Sequence, residues 1–353
     1  MIETTSSTSP TVRCPMCLSR VALDTGQLWV LDGKTGMHRP LDLPSGINPD
    51  QKRRRLRLAK VRCPNQIGEY PEHYLPYHYV DQAEEPVVIA MVGASASGKT
   101  HLLAAMIGKI HEQGLRGFGL SVSPLDIAEY EHFTSTHVRP FLMGNAVLLR
   151  TNHDVWEFVI GLTVEDTDDA DSPPRAVVFF DISGDGMSVT SHIAKHAFFD
   201  VVDGFIFVVS PEDLERDDSA AAFSAVLDLV KDKEDKAAVV VLAKADQCRF
   251  DYPVDRWLRE EEPTLDPARI REESRDIYSY IVGKDKGAGY LRPWTEVGRV
   301  ALHAASATGA PSSDDDTSRY ARPVRPRRTV QPFLSLMAMT GVKKGAEAGK
   351  VGD

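Results

Sequence analysis

Cysteine is scarce, with four in 353 residues. Two of the four form a Cys-x-x-Cys, which fits a reducing compartment and metal ligation better than a disulfide framework. Long apolar runs are missing as well: none reaches the ~18 residues that a membrane-spanning helix needs. Excess positive charge is also absent. Lys and Arg total 41 against 51 Asp and Glu, a net charge of −10, which argues against a nucleic-acid-coating protein and against a polybasic membrane anchor. The segment 1–10 has no basic region followed by an apolar core, so the expectation is a cytoplasmic protein without a secretory signal. What remains is ordinary. Hydrophobic residues make up 42% and charged residues 26%, enough for a sizeable core, and the length fits one large α/β domain with appendages or two domains.

Along the chain the texture changes once. Residues 1–12 are Ser/Thr-rich and read as a flexible N-terminus. Residues 13–80 are rich in Pro, Gly and short strand-like runs such as 27–31, with little helical periodicity. From 86 to about 341, apolar strands alternate with amphipathic stretches, the signature of a parallel sheet covered on both faces. Strong strands are predicted at 87–92, 176–181, 204–210, 238–243 and 299–305, and weaker ones at 118–122 and 155–164. Helices are predicted at 98–112, 124–143, 188–199, 217–231 and 267–282, and 332–339 reads as a closing helix. The acidic stretch 165–174 reads as a solvated hairpin or crossover loop, 310–328 as a mobile insertion, and 342–353 as a flexible tail.

One run is decisive. Gly93-Ala94-Ser95-Ala96-Ser97-Gly98-Lys99-Thr100 matches G-x-x-x-x-G-K-[ST] without a gap, follows an apolar strand, and precedes Leu102, Leu103, Met106, Ile107 and Ile110 at helical spacing. Strand, glycine-rich loop and helix in that order form a P-loop. Inward-turned backbone N–H groups from Gly93 to His101, at a helix N-terminus, make an anion hole for phosphate. Lys99 would reach the β/γ oxygens, and the Thr100 hydroxyl would ligate Mg²⁺. The fold class expected is therefore α/β, a P-loop NTPase three-layer sandwich with a mostly parallel sheet.

Later strand ends narrow the nucleotide. Residues 176–181 form an apolar strand ending in Asp181, where P-loop NTPases hold the Mg²⁺ water shell, and the chain continues as the D-x-x-G Asp181-Ile182-Ser183-Gly184. The Gly184 N–H would then sense a γ-phosphate. Motor ATPases usually follow this aspartate with glutamate; Ile182 stands here, which favours the GTPase side. Lys244-Ala245-Asp246, at the end of another apolar strand, looks like the guanine-reading N/T-K-x-D motif, with Ala243 in place of Asn or Thr. A carboxylate at Asp246 accepts from both guanine N1–H and the exocyclic amine, a pattern adenine does not present, and the Lys244 stem covers the base plane. Ser306-Ala307, ending the next strand, resembles the S-A-x element whose backbone N–H contacts guanine O6.

In this order, the four elements resemble the translation-factor and Ras-like class of P-loop GTPases over about residues 87–309. The cysteine-bearing N-terminal module joined to a P-loop domain resembles the bacterial double-GTPase family. The resemblance implies a GTP- and Mg²⁺-dependent molecular switch in a bacterial multi-protein system, with protein partners docking on the switch loops or the N-terminal module, and no membrane or nucleic-acid partner. Catalysis departs from the pattern. Many small GTPases carry Gln after D-x-x-G; Asp185 stands here, so hydrolysis is expected to be slow or to need a residue supplied in trans. Thr134, Ser135, Thr136 and Thr151 all lie in the interval of the switch threonine, near His132, His137 and Arg139. Two other readings remain: an ATP-using ATPase or phosphotransferase, and a hydrolysis-weak nucleotide-binding scaffold.

In the N-terminal module, Cys14-Pro15-Met16-Cys17 forms one metal-binding knuckle. Cys63-Pro64-Asn65-Gln66 looks like a second, with Gln66 where a cysteine is expected, and His73 or His38 would complete a Cys₃His zinc site. The alternative is a zinc-ribbon-like module that folds without metal. Cys248 reads as an incidental buried thiol. The basic run 52–60 reads either as a nucleic-acid or acidic-partner contact, or as a solvated strand or linker pairing with the chain's own carboxylates, and the second is favoured.

Overall fold

The structure, a computed structural model, describes residues 11–23, 27–65, 72–148, 157–183, 198–216, 220–260, 264–309 and 318–353. The N-terminal segment carries β1 (Thr11–Arg13) and β2 (Arg20–Ala22), an antiparallel pair. Then come β3 (Leu28–Leu31), β4 (His38–Pro40), β5 (Lys60–Arg62) and β6 (Tyr74–Pro76), a four-stranded sheet in the order β4-β3-β5-β6. Part of the basic run is helical rather than extended, over Pro49–Leu56. The Asn48 side chain caps it by accepting from Asp50 N (2.8 Å), Pro49 presets the first turn, and Lys and Arg are good helix formers.

The large sheet contains β7 (Val87–Gly93), β8 (Leu120–Pro124), β9 (Glu157–Asp166), β10 (Arg175–Ser183), β11 (Gly204–Val209), β12 (Ala237–Leu242) and β13 (Arg299–Ala304). Its order is β13-β12-β11-β7-β10-β9-β8. The first five strands of that order run parallel, while β9 is antiparallel to both β10 and β8. Both faces are covered, so every residue of β7, β11 and β12 is buried. Val87, Ile89 and Met91 share one buried cluster with Leu103, Met106 and Ile107 of the helix Lys99–Gln113 and with Phe333 and Leu336 of the closing helix Gln331–Met339. The alternate residues Val88, Ala90 and Val92 join Phe205, Phe207, Phe223 and Ile277 on the other face, together with Val61, Leu75 and Tyr79 of the N-terminal module. Helix, sheet and helix make the three layers expected of a P-loop NTPase.

The predicted helix at 124–143 is broken into three. Ile127–Phe133 is α-helical, Thr134–Val138 is a π-helical turn, and Arg139–Leu142 resumes the α-helix. Pro140 has no N–H and its ring crowds the carbonyl four residues back, which accounts for the widened turn. The acidic stretch turns the β9–β10 hairpin, and Asp166 in it is buried against Lys343, whose Nζ lies 2.5 Å from Asp166 Oδ1 and 2.8 Å from Asp168 Oδ2. Near the C-terminus, Gly352 O accepts from Val300 N (3.1 Å). Most of the predicted helix 188–199 lies outside the described residues. No helix among the described residues is long and apolar enough to cross a membrane.

Candidate nucleotide site and metal centre

Five parallel strands deliver their carboxyl ends to one edge of the sheet, the usual ligand-binding edge of such sheets. Gly93 ends β7, opposite Ser183 at the end of β10, which puts Asp181 across from Met91, two residues short of the loop. Ala243 and Ala305 leave β12 and β13 in step, their N–H groups donating to Val209 O (2.8 Å) and Leu242 O (2.9 Å).

The candidate phosphate loop, residues 93–100, depends on its glycines. A Cβ on Gly93 would sit 2.4 Å from Val208 O, a backbone atom of the neighbouring strand, so that strand would have to shift. Gly98 has φ +102°, a conformation that side chains disfavour, and it opens the helix Lys99–Gln113. Lys99 folds over the loop and donates from Nζ to Gly93 O (2.9 Å) and Ala94 O (3.1 Å). Ser97 is buried and Thr100 half-buried at the helix start, with Ser95 and Ala96 forming the crest of the turn and Ala96 at φ +63°.

The base-reading candidates converge. Ala245 N donates to Ala305 O (3.1 Å), joining the Lys244–Asp246 turn to the Ser306–Ala307 turn. The Ser306 hydroxyl donates to Asp246 Oδ1 (2.5 Å) and accepts from Gly309 N (2.8 Å), so the buried Asp246 carboxylate is held in a fixed orientation. Lys244, at φ +48°, brings its Cγ to 3.8 Å from where a Gly98 Cβ would be, so the two motifs touch. Ala243, which replaces the usual polar residue, sits at 3.9 Å from that same point.

One residue, Glu212, was invisible to motif reading, and another, His101, was expected only for its backbone N–H. Glu212, just past β11, accepts from Lys244 Nζ (2.6 Å) and Gln247 Nε2 (2.6 Å), and the neighbouring cation holds its carboxyl below the usual range despite partial burial. His101, next to Thr100, accepts at Nε2 from Leu148 N (3.1 Å). Burial, with the charges of Lys244 and His137 adding to it, pushes His101 down to about 4. Strand-end position is the only sequence signal for Glu212; nothing marks His101 apart from its place after the motif.

The switch-threonine candidates divide. Thr134 Oγ1 donates to Tyr130 O (2.6 Å), Ser135 Oγ to His132 O (2.9 Å) and Thr136 Oγ1 to His132 O (2.8 Å), so all three bond to their own helix. Thr151, Gly184 and Asp185 lie outside the described residues.

The second centre lies in the N-terminal module. Cys14, Cys17, Cys63 and His73 are all buried and their ligand atoms lie within 4.8 Å of one another. Cys14 Sγ stands 3.3 Å from His73 Nε2, and Cys17 Sγ stands 3.4 Å from Cys63 Sγ. Burial pushes the Cys14 and Cys63 thiols up. For Cys17 burial acts the same way, but the Ser19 amide and the neighbouring thiols outweigh it and bring the group down to about 7. Amide N–H groups aimed at sulfur, here from Ser19 and Asn65, are the knuckle arrangement that steadies thiolates on a tetrahedral metal. The donor set fits zinc. His38 is elsewhere, stacked on Tyr74 with ring centroids 3.7 Å apart. Cys248 is buried apart from the cluster, its Sγ near Ala245 O.

No protein-family model matches this chain, and no curated protein matches it. Among solved structures, it is similar to an ADP-ribosylation factor-like GTP-binding protein, the small COPII coat GTPase SAR1 from Encephalitozoon cuniculi in complex with GDP. The identity is 16% over 73% of this chain and 81% of that one, and the TM-score of 0.29 is too low to bear on function.

Proposed function

We propose that this chain is a guanine-nucleotide-binding protein that acts as a Mg²⁺-dependent GTPase switch. The observation that supports it most is the pairing of a fixed, buried Asp246 carboxylate with a phosphate loop in contact with Lys244. In this reading Gly93–Thr100 and the His101 N–H bind the phosphates, and Lys99 neutralises their β/γ oxygens. Thr100 and Asp181 hold Mg²⁺ through hard oxygen donors. Asp246 accepts from the guanine edge while the Ser306–Ala307 turn offers main-chain N–H to O6. The γ-phosphate contact at Gly184 and water orientation by Asp185 are the catalytic part of the proposal.

The N-terminal module in this account is zinc-stabilised through Cys14, Cys17, Cys63 and His73, and it serves with the switch loops as the docking face for a protein partner. The combination of that module with a GTPase domain supports a place in a bacterial multi-protein system in the cytoplasm.

A gain-of-function test separates this from an ATP-using enzyme. In Asp246→Asn the amide donates where the carboxylate accepted, so preference should move from guanosine to xanthosine diphosphate, whose C2 carries a carbonyl. Guanine affinity should fall by as much as roughly 10⁴-fold. Unchanged preference between GDP and xanthosine diphosphate, with ATP bound equally by both proteins, would support the adenine-using reading. Single-turnover GTP hydrolysis by wild type and Lys99→Ala then distinguishes a hydrolase from a scaffold.

A further inference from the structure

Residues 318–328, which precede the closing helix, do not belong to any motif above, yet they run along the candidate site. Ser318 O accepts from Val147 N (2.9 Å), Tyr320 N donates to Asn145 O (2.8 Å), and Val324 N donates to Asn145 Oδ1 (3.0 Å). Farther on, Arg325 N donates to Thr308 O (2.9 Å), and Arg327 and Ser306 exchange N–H···O bonds of 2.8 and 3.0 Å. Residues 318–328 thus form a strap from the loop after Leu142 to the turn that holds Asp246.

Its far end is anchored in the interior. The Arg328 guanidinium lies 2.6 Å from Glu273 Oε2, with side-chain exposures of 2% and 0%. Glu273 also receives His303 Nδ1 (2.7 Å) and Ala304 N (3.1 Å), and His303 Nε2 lies 2.8 Å from Ser335 Oγ. That network ties the strap to β13 immediately before Ser306.

At the near end the Tyr320 ring stands edge-on to His101 (centroids 6.1 Å apart, 88°) and to Phe141 (6.1 Å, 70°), at the head of the phosphate-binding helix. Its phenol is pushed up to about 12, by burial first and then by the Asp246 carboxylate. The ring therefore lies at the start of that helix, on a strap whose other end is hydrogen-bonded to the Ser306 turn that holds the Asp246 carboxylate.

We propose that the strap walls the nucleoside pocket and that Tyr320 stacks on the base, an aromatic face to complement the aliphatic stem of Lys244. This rests on the guanine-nucleotide reading above. Base–aromatic stacking is sequence-tolerant and depends on the ring rather than the hydroxyl.

The test titrates the full-length protein with GDP and, separately, with inorganic tripolyphosphate, which engages only the phosphate loop. Tyr320→Ala should weaken GDP roughly 5- to 150-fold and leave tripolyphosphate unchanged. Tyr320→Phe should retain GDP affinity. Tyr320→Leu, which keeps apolar bulk without a ring, should behave like Tyr320→Ala and serves if the alanine variant does not fold. GDP affinity unaltered in both ring-less variants, or a loss shared equally with tripolyphosphate, overturns the stacking role alone. Wild-type protein that holds tripolyphosphate but not GDP overturns the guanine reading and this inference with it.

Discussion

Lys60 Nζ stands 3.1 Å from Asp126 Oδ2, with both side chains under 10% exposed, and the same ammonium contacts Glu129. Lys60 lies on β5 of the N-terminal module, while Asp126 caps the helix Ile127–Phe133 by accepting from Glu129 N (2.9 Å). One buried ion cluster therefore fastens the module to the helical segment that packs, through Val138 and Leu142, against Gly108 of the helix Lys99–Gln113.

Removing one partner of such a cluster leaves a buried charge uncompensated. Lys60→Met should lower the free energy of unfolding by about 3–5 kcal/mol, and adding Asp126→Asn should recover part of the loss. Urea melts of the single and double variants check this; additive effects would mean that the pair is not coupled.

His101 makes acid stability informative. Its ordinary value of 6.5 is lowered to about 4 in the folded chain, chiefly by burial. Above the unfolded value the ring is neutral in both states and contributes nothing. Between about 6.5 and 4 the unfolded chain takes up a proton that the folded chain resists, so stability should drop by up to about 3 kcal/mol over that window. His101→Gln should flatten this slope in melts of nucleotide-free protein. An identical slope in both proteins would assign the effect to other groups.

At the Cys₃His cluster, protein purified without chelator should carry a single zinc by elemental analysis, and Cys63→Ser should not retain it. Cobalt substitution should give the intense thiolate-to-metal absorption of a tetrahedral site. Chelation should lower the melting temperature, because binding free energy of a structural metal is also folding free energy. Metal-free protein that takes up neither ion would point to a ribbon held by packing alone.

Gly93→Ala tests the close approach at the phosphate loop. The added methyl would meet Val208 O at 2.4 Å, so the strand end must shift. We expect a loss of about 1–3 kcal/mol in stability together with loss of nucleotide binding. Stability and binding both equal to wild type would mean that the loop relaxes freely.

Much of the fold was legible because its signals are local. Apolar strands bounded by Pro, Gly or Asp mark β7, β10, β11 and β12, and the observed helix Pro267–Val282 coincides with its predicted span. The candidate site was legible where chemistry restricts residue type: glycines in the phosphate loop, a carboxylate at Asp246, thiols at Cys14 and Cys17. Pairings across long sequence separations left no such mark. Nothing in the run around Lys60 says that its last lysine turns inward to Asp126 while Arg53 and Arg54 stay on the surface of a helix. Tyr320 was equally hidden, because a stretch of Pro, Arg and Ser has no periodicity to show which element it lies against. The helix break at Thr134–Val138 follows from Pro140, but a helical pattern runs through it and masks the change of pitch.

The most direct measurement is calorimetric titration of the full-length protein with GTP, GDP and ATP in the presence of Mg²⁺. Saturable binding of both guanine nucleotides, with ATP weaker by orders of magnitude and the difference abolished in Asp246→Asn, is the predicted result. Equal binding of ATP and GTP, or binding of neither, would contradict it.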